Sequence, residues 1–255
     1  MEDQDLITCE LSPLSNKDEL HYREDVQQTE AIYDNFDKWK KKIGDGRLDY
    51  VHEIMKMVKF EGKILELGAG SSWFSCELSK LDRVKELYCL DFSEKILKEI
   101  TPKVMDFLNA DKGKMKRVVG DFYSLKFPDR MFDMVVVDAA LHHIGSMDIV
   151  MKEIKRVMKD DGKVVAIREP IIPKMRPGSK ETFGAHERSL GLIENIYTKE
   201  EWKGFFERNG LKLSFMPVIP EYSFAHKAIK YTPLRLLNGY LFAHYVLIAT
   251  KTKDE

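Results

Sequence analysis

One stretch constrains this chain more than any other. The apolar run Lys63-Ile64-Leu65-Glu66-Leu67 passes directly into Gly68-Ala69-Gly70-Ser71-Ser72 and then into a segment carrying Trp73, Phe74, Leu78 and Leu81 at helical spacing. A strand that becomes a helix through two glycines has few conformations open to it. The missing β-carbons allow a tight turn and close ligand approach, and the N-terminus of the new helix faces whatever sits there. Read blandly, the same glycines serve only the turn. Further strand-length runs at Glu86 to Leu90, Lys116 to Val119, Phe132 to Val137 and Lys163 to Arg168 alternate with helical patterns at 93–109 and 146–158. That alternation predicts an α/β fold, a parallel sheet covered by helices on both faces.

The flanks differ. Residues 1 to about 16 lack periodicity and read as a loop or weakly ordered arm, while Asp18 to about Lys42 predicts one or two amphipathic helices bearing Tyr22, Val26, Ile32, Tyr33, Phe36 and Trp39. A second helical segment spans Leu48 to Val58. The stretch 169–198, with three prolines and three glycines, is long for a connector and predicts an insertion or lid. A helix at about 199–209 then leads to strands at Leu211 to Val218 and within Tyr240 to Thr250, and Trp202, Phe205, Phe206 and Leu211 read as core. The division expected is an arm with cap helices over 1–47, one domain over 48–250 with its insertion at 169–198, and a tail at 251–255.

Composition narrows the function classes. With 41 Lys+Arg against 42 Asp+Glu in 255 residues, no global field draws the chain to nucleic acid or to an anionic surface. Three cysteines at 9, 76 and 89 make neither a disulfide framework nor a metal knuckle, and no long apolar run occurs. The expectation is a soluble cytoplasmic protein with no nucleic-acid partner and no membrane insertion.

Asp91 closes the second strand, 21 residues after Gly70, where a carboxylate can accept from both hydroxyls of a ribose; a cap for the helix after Ser93 is its plainer reading. Asp121 follows the third strand and can accept from an adenine amino group while Phe122 or Phe92 meets the ring; the bland alternative is a turn with a core aromatic. A dinucleotide fingerprint would need a third glycine where Trp73 stands. That substitution argues against NAD.

Taken in order and at these distances, ILELGAGSSWF, YCLDFSEKIL, GDFYSL and FDMVVVDAALHHI resemble the successive motifs of S-adenosylmethionine-dependent methyltransferases with the Rossmann-like fold, over about residues 48–250. The resemblance implies a three-layer sandwich whose sheet is seven-stranded and mostly parallel, in order 3-2-1-4-5-7-6 with the last strand antiparallel, plus the N-terminal helices and an insertion after the fifth strand. It places Glu66, Gly68, Ala69 and Gly70 around the methionine part of the cofactor, Asp91 and Phe92 near the ribose and ring, and Asp121 with Phe122 at the adenine. Asp138 and Ala139 would line the cofactor at the end of the fourth strand. Ala140-Leu141-His142-His143-Ile144 resembles the branch acting on small molecules.

Methyl transfer is an in-line displacement at an activated carbon, so positioning supplies much of the rate, and a base is needed chiefly for a hydroxyl acceptor. His143 is the favoured base or hydrogen-bond partner, with His142, Glu169, His186 and Tyr197 as alternatives; each also has a structural reading, packing or salt bridging. Asp138, His142, His143 and His186 include metal-ligand types, but no ligand spacing such as HExxH occurs and no metal is expected. Lys174, Arg176, Lys180 and Arg188, with Arg168 upstream, outnumber Glu181 and Glu187 and suggest a clamp for a carboxylate or phosphate, or else a solvated face. The N-terminal aromatics suggest a cover over the cofactor, or an ordinary docked helix. The expected reaction is transfer of a methyl group to oxygen or nitrogen of a small, anionic or carbohydrate-derived acceptor, the histidines favouring oxygen and the product being S-adenosylhomocysteine. The competing readings are an NAD-dependent oxidoreductase and a noncatalytic, cofactor-binding relative.

Overall fold

In the computed structural model the apolar runs pair edge to edge into one sheet. Residues 5–13, 35–175, 182, 185–189, 193–219, 224–238, 240 and 243–252 are described. The strands are β1 (Leu6–Thr8), β2 (Gly62–Leu67), β3 (Val84–Asp91), β4 (Met115–Val119), β5 (Phe132–Asp138), β6 (Met158–Ile167), β7 (Leu211–Pro217) and β8 (Tyr245–Lys251). Their order is β1-β4-β3-β2-β5-β6-β8-β7. β8 runs antiparallel to both neighbours, β6 and β7, and every other pairing is parallel. Seven of these strands reproduce the expected order, and the carboxyl ends of β1 to β7 therefore share one edge.

The eighth strand corrects the expected count of seven. Leu6–Thr8 pairs in parallel with Arg117–Val119, and the ladder is extended at both ends by Arg117 N–H donating to the Asp5 carbonyl (2.8 Å) and Cys9 N–H donating to that of Val119 (2.9 Å). β4 would otherwise be a bare edge, which proteins commonly cover. The segment read as a loop is thus a strand held by backbone pairing rather than by side-chain periodicity.

Helices fill both faces. α1 (Phe36–Gly44), α2 (Arg47–Met57), α3 (Trp73–Ser79) and α4 (Thr101–Phe107) pack with Ile64, Leu87, Cys89, Met134, Val136 and Val165. On the other face α5 (Met147–Val157) and α7 (Lys199–Glu207) meet Leu65, Tyr88, Val135, Val137 and Val164. Neighbouring residues of a strand point to opposite faces, so continuous apolar runs serve two cores. Two short helices, α6 (Ala185–Ser189) and α8 (Phe224–Tyr231), lie in the connections after β6 and β7.

The helix read over 93–109 is not uniform: a π-helical turn, Ile96–Ile100, precedes α4. Pro102 has no N–H for the Lys98 carbonyl, and the Leu97 carbonyl accepts from buried Arg117 Nη1 at 3.0 Å, so the ladder shifts register there. Within Tyr240 to Thr250, the strand begins only at Tyr245. Trp202, Phe206 and Leu211 are fully buried, as their spacing predicts. The helical reading over 18–34 lies outside the described residues, as do Tyr22 and Tyr33. Among the described residues no helix is long and apolar enough to cross a membrane.

Phe132 is fully buried and meets Tyr88 and Phe127 edge to face at centroid distances of 5.4 and 5.0 Å. Phe132→Ala is expected to cost about 3–5 kcal/mol by the cavity it leaves. Chemical denaturation should show the midpoint falling with an unchanged slope.

Candidate functional site

The carboxyl ends of β2, β3, β5 and β6 bring most of the sequence candidates to one place. Among the described residues five non-glycine residues have positive φ, and three of them stand on this edge: Ser72 at 59°, Ala139 at 50° and Arg168 at 57°. The left-handed region costs such residues roughly 1 kcal/mol or more each, and strain of this kind clusters where geometry is used.

The loop after β2 is built for close approach. Gly68 has φ 69°, and a β-carbon there would lie 2.6 Å from Ala140 Cβ and 3.0 Å from the Phe122 ring; at Gly70 it would touch the Trp39 indole at 3.4 Å. The first N-terminal helix therefore lays an aromatic against the glycine loop. Asp91 accepts from Gly70 N–H at 2.7 Å and from Ser93 N–H at 2.9 Å, tying β3 to that loop. Glu66, at the end of β2, accepts from the N–H and hydroxyl of Ser75. Burial, reinforced by the nearby Asp138 and Asp91 carboxylates, pushes its pKa up to about 8 against the Ser75 hydrogen bonds. Ser71 is fully buried, and its hydroxyl has no hydrogen-bond partner among the described residues.

Asp121 accepts from Ser12 N–H (2.6 Å), Tyr123 N–H (2.7 Å) and Ser124 N–H (3.1 Å), with the Ser12 hydroxyl at 3.2 Å. The arm that adds β1 to the sheet thus reaches the residue matched to adenine recognition. Phe122 lies over Gly68, and Phe92 is partly buried beside Asp91.

Between β5 and β6 the contacts run crosswise. Asp138 takes two bonds from Arg168, from Nε at 2.6 Å and Nη2 at 2.8 Å, and the Arg168 guanidinium lies 5.7 Å from the centre of the Trp73 ring. In return Glu169 accepts from the N–H groups of Ala140 (3.0 Å), Leu141 (2.9 Å) and His142 (3.2 Å), and its Oε2 is 2.8 Å from His142 Nδ1. Burial alone would raise the Glu169 pKa, but the His142 ring and the backbone donors outweigh it and hold the group below its ordinary value. An ionised Glu169 therefore takes the Nδ1 hydrogen of His142.

Sequence reasoning missed the next member. Glu194, in the connection after β6, has one carboxylate oxygen 3.5 Å from His142 Nε2 and the other 3.0 Å from His143 Nδ1. The Ile193 carbonyl also lies 2.9 Å from His143 Nδ1. Burial disfavours charge on His143, yet the hydrogen bond and attraction from Glu194 raise its pKa overall, while Glu194 is correspondingly lowered. Both His143 contacts fall on Nδ1, and the side chain is 44% exposed, so Nε2 is the nitrogen left to face an acceptor. His142, His143 and Glu194 also place ligand-type atoms within 4.8 Å of one another, the one such grouping found among the described residues.

Lys42 was missed as well. It projects from α1 toward Arg47, Arg168 and Asp138; burial first, then the two arginines, bring its pKa down to about 8, with Asp138 opposing. Among the described residues the members of the suggested anion clamp have other partners. Arg168 serves Asp138, Arg188 donates to the Glu194 carbonyl at 3.0 Å, and Lys174 lies 5.6 Å from the Tyr240 ring centre, while Arg176 and Lys180 fall outside the described residues. Tyr197 packs against Trp202 and Phe205, at 5.1 and 4.8 Å, and burial raises its pKa. His186 lies in α6, placed by its backbone alone. A cleft of about 540 Å³ opens at the opposite edge, where Arg156 and Arg208 are paired with Asp129 and Asp148, and none of the candidates lines it.

Residues 65–166 match a family model described as a methyltransferase domain. A demethylmenaquinone methyltransferase of Geobacillus sp. (strain WCH70) is 30% identical over 142 residues, 54% of this chain and 59% of that protein. One from Staphylococcus carnosus is 33% identical over 135 residues, 51% of this chain and 54% of that one. The alignments thus span a little over half the length of these curated relatives. Among solved structures, the complex between the Haloferax volcanii Trm112 methyltransferase activator and a methyltransferase matches with a TM-score of 0.65 at 16% identity, covering 88% of this chain and 99% of that one. At that identity the likeness is one of fold.

Because the folded chain holds a proton on Glu66 that the unfolded chain releases above the usual carboxylate range, stability should fall as pH rises toward about 8. Glu66→Gln removes this term, so the stability gap between the variant and the native chain should widen in the variant's favour over that interval in cofactor-free thermal unfolding.

Proposed function

We propose, from the premise that residues 65–166 form a methyltransferase domain of the S-adenosylmethionine-dependent, Rossmann-like class, that this chain transfers a methyl group from that cofactor to oxygen or nitrogen of a small acceptor. The observation that carries the reading is the convergence, on one sheet edge, of the glycine loop, Asp91 and the Glu169–His142–Glu194–His143 series.

The residues fit the cofactor. The close approach at Gly68 and the buried, unpaired Ser71 hydroxyl suit a polar ligand lying against the loop after β2. Glu66 with Gly68, Ala69 and Gly70 would hold the methionine part, Asp91 the ribose, and Asp121 with Phe122 the adenine. Phe92 would flank the nucleoside, and Asp138 with Ala139 would line the donor end. Bound there, the cofactor supplies a methyl group on a positively charged sulfur, which needs no activation by the protein. Lys42 and Arg47, near the Asp138–Arg168 pair, suit a carboxylate at that end.

The chain's own task is then to orient the acceptor and handle its proton. Glu169 fixes the turn that carries the two histidines and sets the His142 hydrogen on Nδ1. Glu194, 3.0 Å from His143 Nδ1, orients His143 and raises its basicity. His143 Nε2 takes the proton of a hydroxyl as the new bond forms. For an amine acceptor the same nitrogen accepts a hydrogen bond and aims the lone pair. Tyr197 and His186 would border the acceptor from the connection after β6, and Trp39 would exclude water from the donor side. The division into an arm with cap helices (1–47), a domain (48–250) with a substrate-side insertion (169–198) and a tail (251–255) matches these roles. An anionic or carbohydrate-derived acceptor is the finer form of the proposal.

With a hydroxyl acceptor, the acidic limb of kcat/KM should lie above the ordinary histidine range, because Glu194 raises the His143 pKa and the neutral ring is the active form. Glu194→Gln should move that limb to lower pH, and His143→Asn should lower kcat/KM by about 10²–10⁴ while cofactor affinity holds. Acceptor-dependent formation of S-adenosylhomocysteine measures both. A limb that ignores Glu194→Gln would remove His143 from the role of base.

A further inference from the structure

Among the described residues, six of the ten large apolar side chains that are exposed lie in two touching segments: Met175 (66%), Tyr231 (67%), Leu234 (43%), Leu236 (75%), Leu237 (38%) and Tyr240 (51%). Met175 N–H donates to the Tyr240 carbonyl at 2.9 Å and Lys174 lies against the Tyr240 ring, so the connection after β6 and the connection after β7 form one surface. Scattered exposed leucines need no explanation, but a contiguous group does.

We propose that this surface docks the chain on an anionic phospholipid bilayer and so presents the site to an acceptor carried in or on that membrane. Charge distribution selects the occupant. The 31 residues from Tyr222 to Thr252 contain no carboxylate, nor do Pro170 to Lys180, in a chain that otherwise has 42. Lys174, Lys227 and Arg235 are exposed among or beside the apolar groups. Segments free of acids that carry exposed leucines, tyrosines and cations have the composition of an interfacial surface, in which apolar groups enter the headgroup boundary and cations meet anionic lipid.

Location gives the surface a use. β7 runs parallel to β6, so the connection leaving β7 emerges at the carboxyl edge, the edge that also carries the glycine loop, Glu169 and the histidines. Within the connection, Lys230 pairs with Glu53 of α2, Ile229 is buried, and Thr232 Oγ accepts from Leu234 N–H. This anchors the segment while its leucines remain outward. Docked this way, the acceptor's reactive end enters from the bilayer side. The acceptor class rests on the methyl-transfer reading, whereas the membrane contact rests on the surface alone.

Vesicle co-sedimentation of the full chain tests the contact. With vesicles of equimolar phosphatidylglycerol and phosphatidylcholine, partitioning should exceed that with phosphatidylcholine alone by at least about fivefold, the effect of one basic residue near an anionic surface. Leu234→Asp with Leu236→Asp should weaken it by about tenfold or more. Arg235→Glu should abolish most of the anionic preference. These positions are exposed, so thermal unfolding and calorimetric binding of S-adenosylmethionine should not change, which separates failure of docking from failure of the cofactor reading. Absence of sedimentation, or equal sedimentation of the native and double-aspartate chains, would overturn the proposal. So would a dimer in analytical ultracentrifugation that the same aspartates dissociate, since the surface would then belong to a second copy.

Discussion

The Glu169 carboxylate is the interaction on which the site depends. It leaves the end of β6, crosses to the turn after β5 and takes three backbone hydrogens and one from the His142 ring. A buried carboxylate lacking such partners would carry a desolvation cost of several kcal/mol. Paired as it is, the group stays ionised, and the stability this adds is present at neutral pH and lost as pH falls through its lowered folded-state pKa. His142 takes its orientation from this carboxylate, because the Leu141–His143 turn is a single 3-10 turn with no side-chain cap of its own.

A second constraint acts beside the first. Asp138 and Arg168 bind each other in two-pronged fashion across the same strand ends, and both Ala139 and Arg168 are held at positive φ. The fold bears this strain where the chain turns sharply from strand to loop. Trp73 stacks near the Arg168 guanidinium, so the residue that departs from the dinucleotide pattern here supports an arginine at the donor end. A glycine in its place would forfeit that contact.

Much of the fold was legible because its signals are local. The passage from β2 through the glycine loop, and the placing of Asp91 and Asp121 at strand ends, follow from residues adjacent in sequence. β1 was not legible, since Leu6, Ile7 and Thr8 are too few to show a period and are held by the backbone of β4. The π-helical turn arises from Pro102 together with Arg117, a contact between elements that no window along the chain contains. Glu194 was invisible for the same reason: it meets His142 and His143 only after the connection beyond β6 folds back. Arg168 was read as part of a clamp or of a solvated face, and its partner Asp138, 30 residues away, lies outside any local window.

On the proposed reading, these contacts give the carboxyl edge one end for a nucleoside cofactor and another for managing a proton. Calorimetric titration of the intact chain with S-adenosylmethionine, S-adenosylhomocysteine and NAD, alongside Asp91→Ala, tests that claim most directly. Selective binding of the two sulfur cofactors, weakened in Asp91→Ala by roughly the 1.5–3 kcal/mol of hydrogen bonds to a charged group, is the predicted result. Preference for NAD, or no binding of either sulfur cofactor to the folded chain, would contradict it.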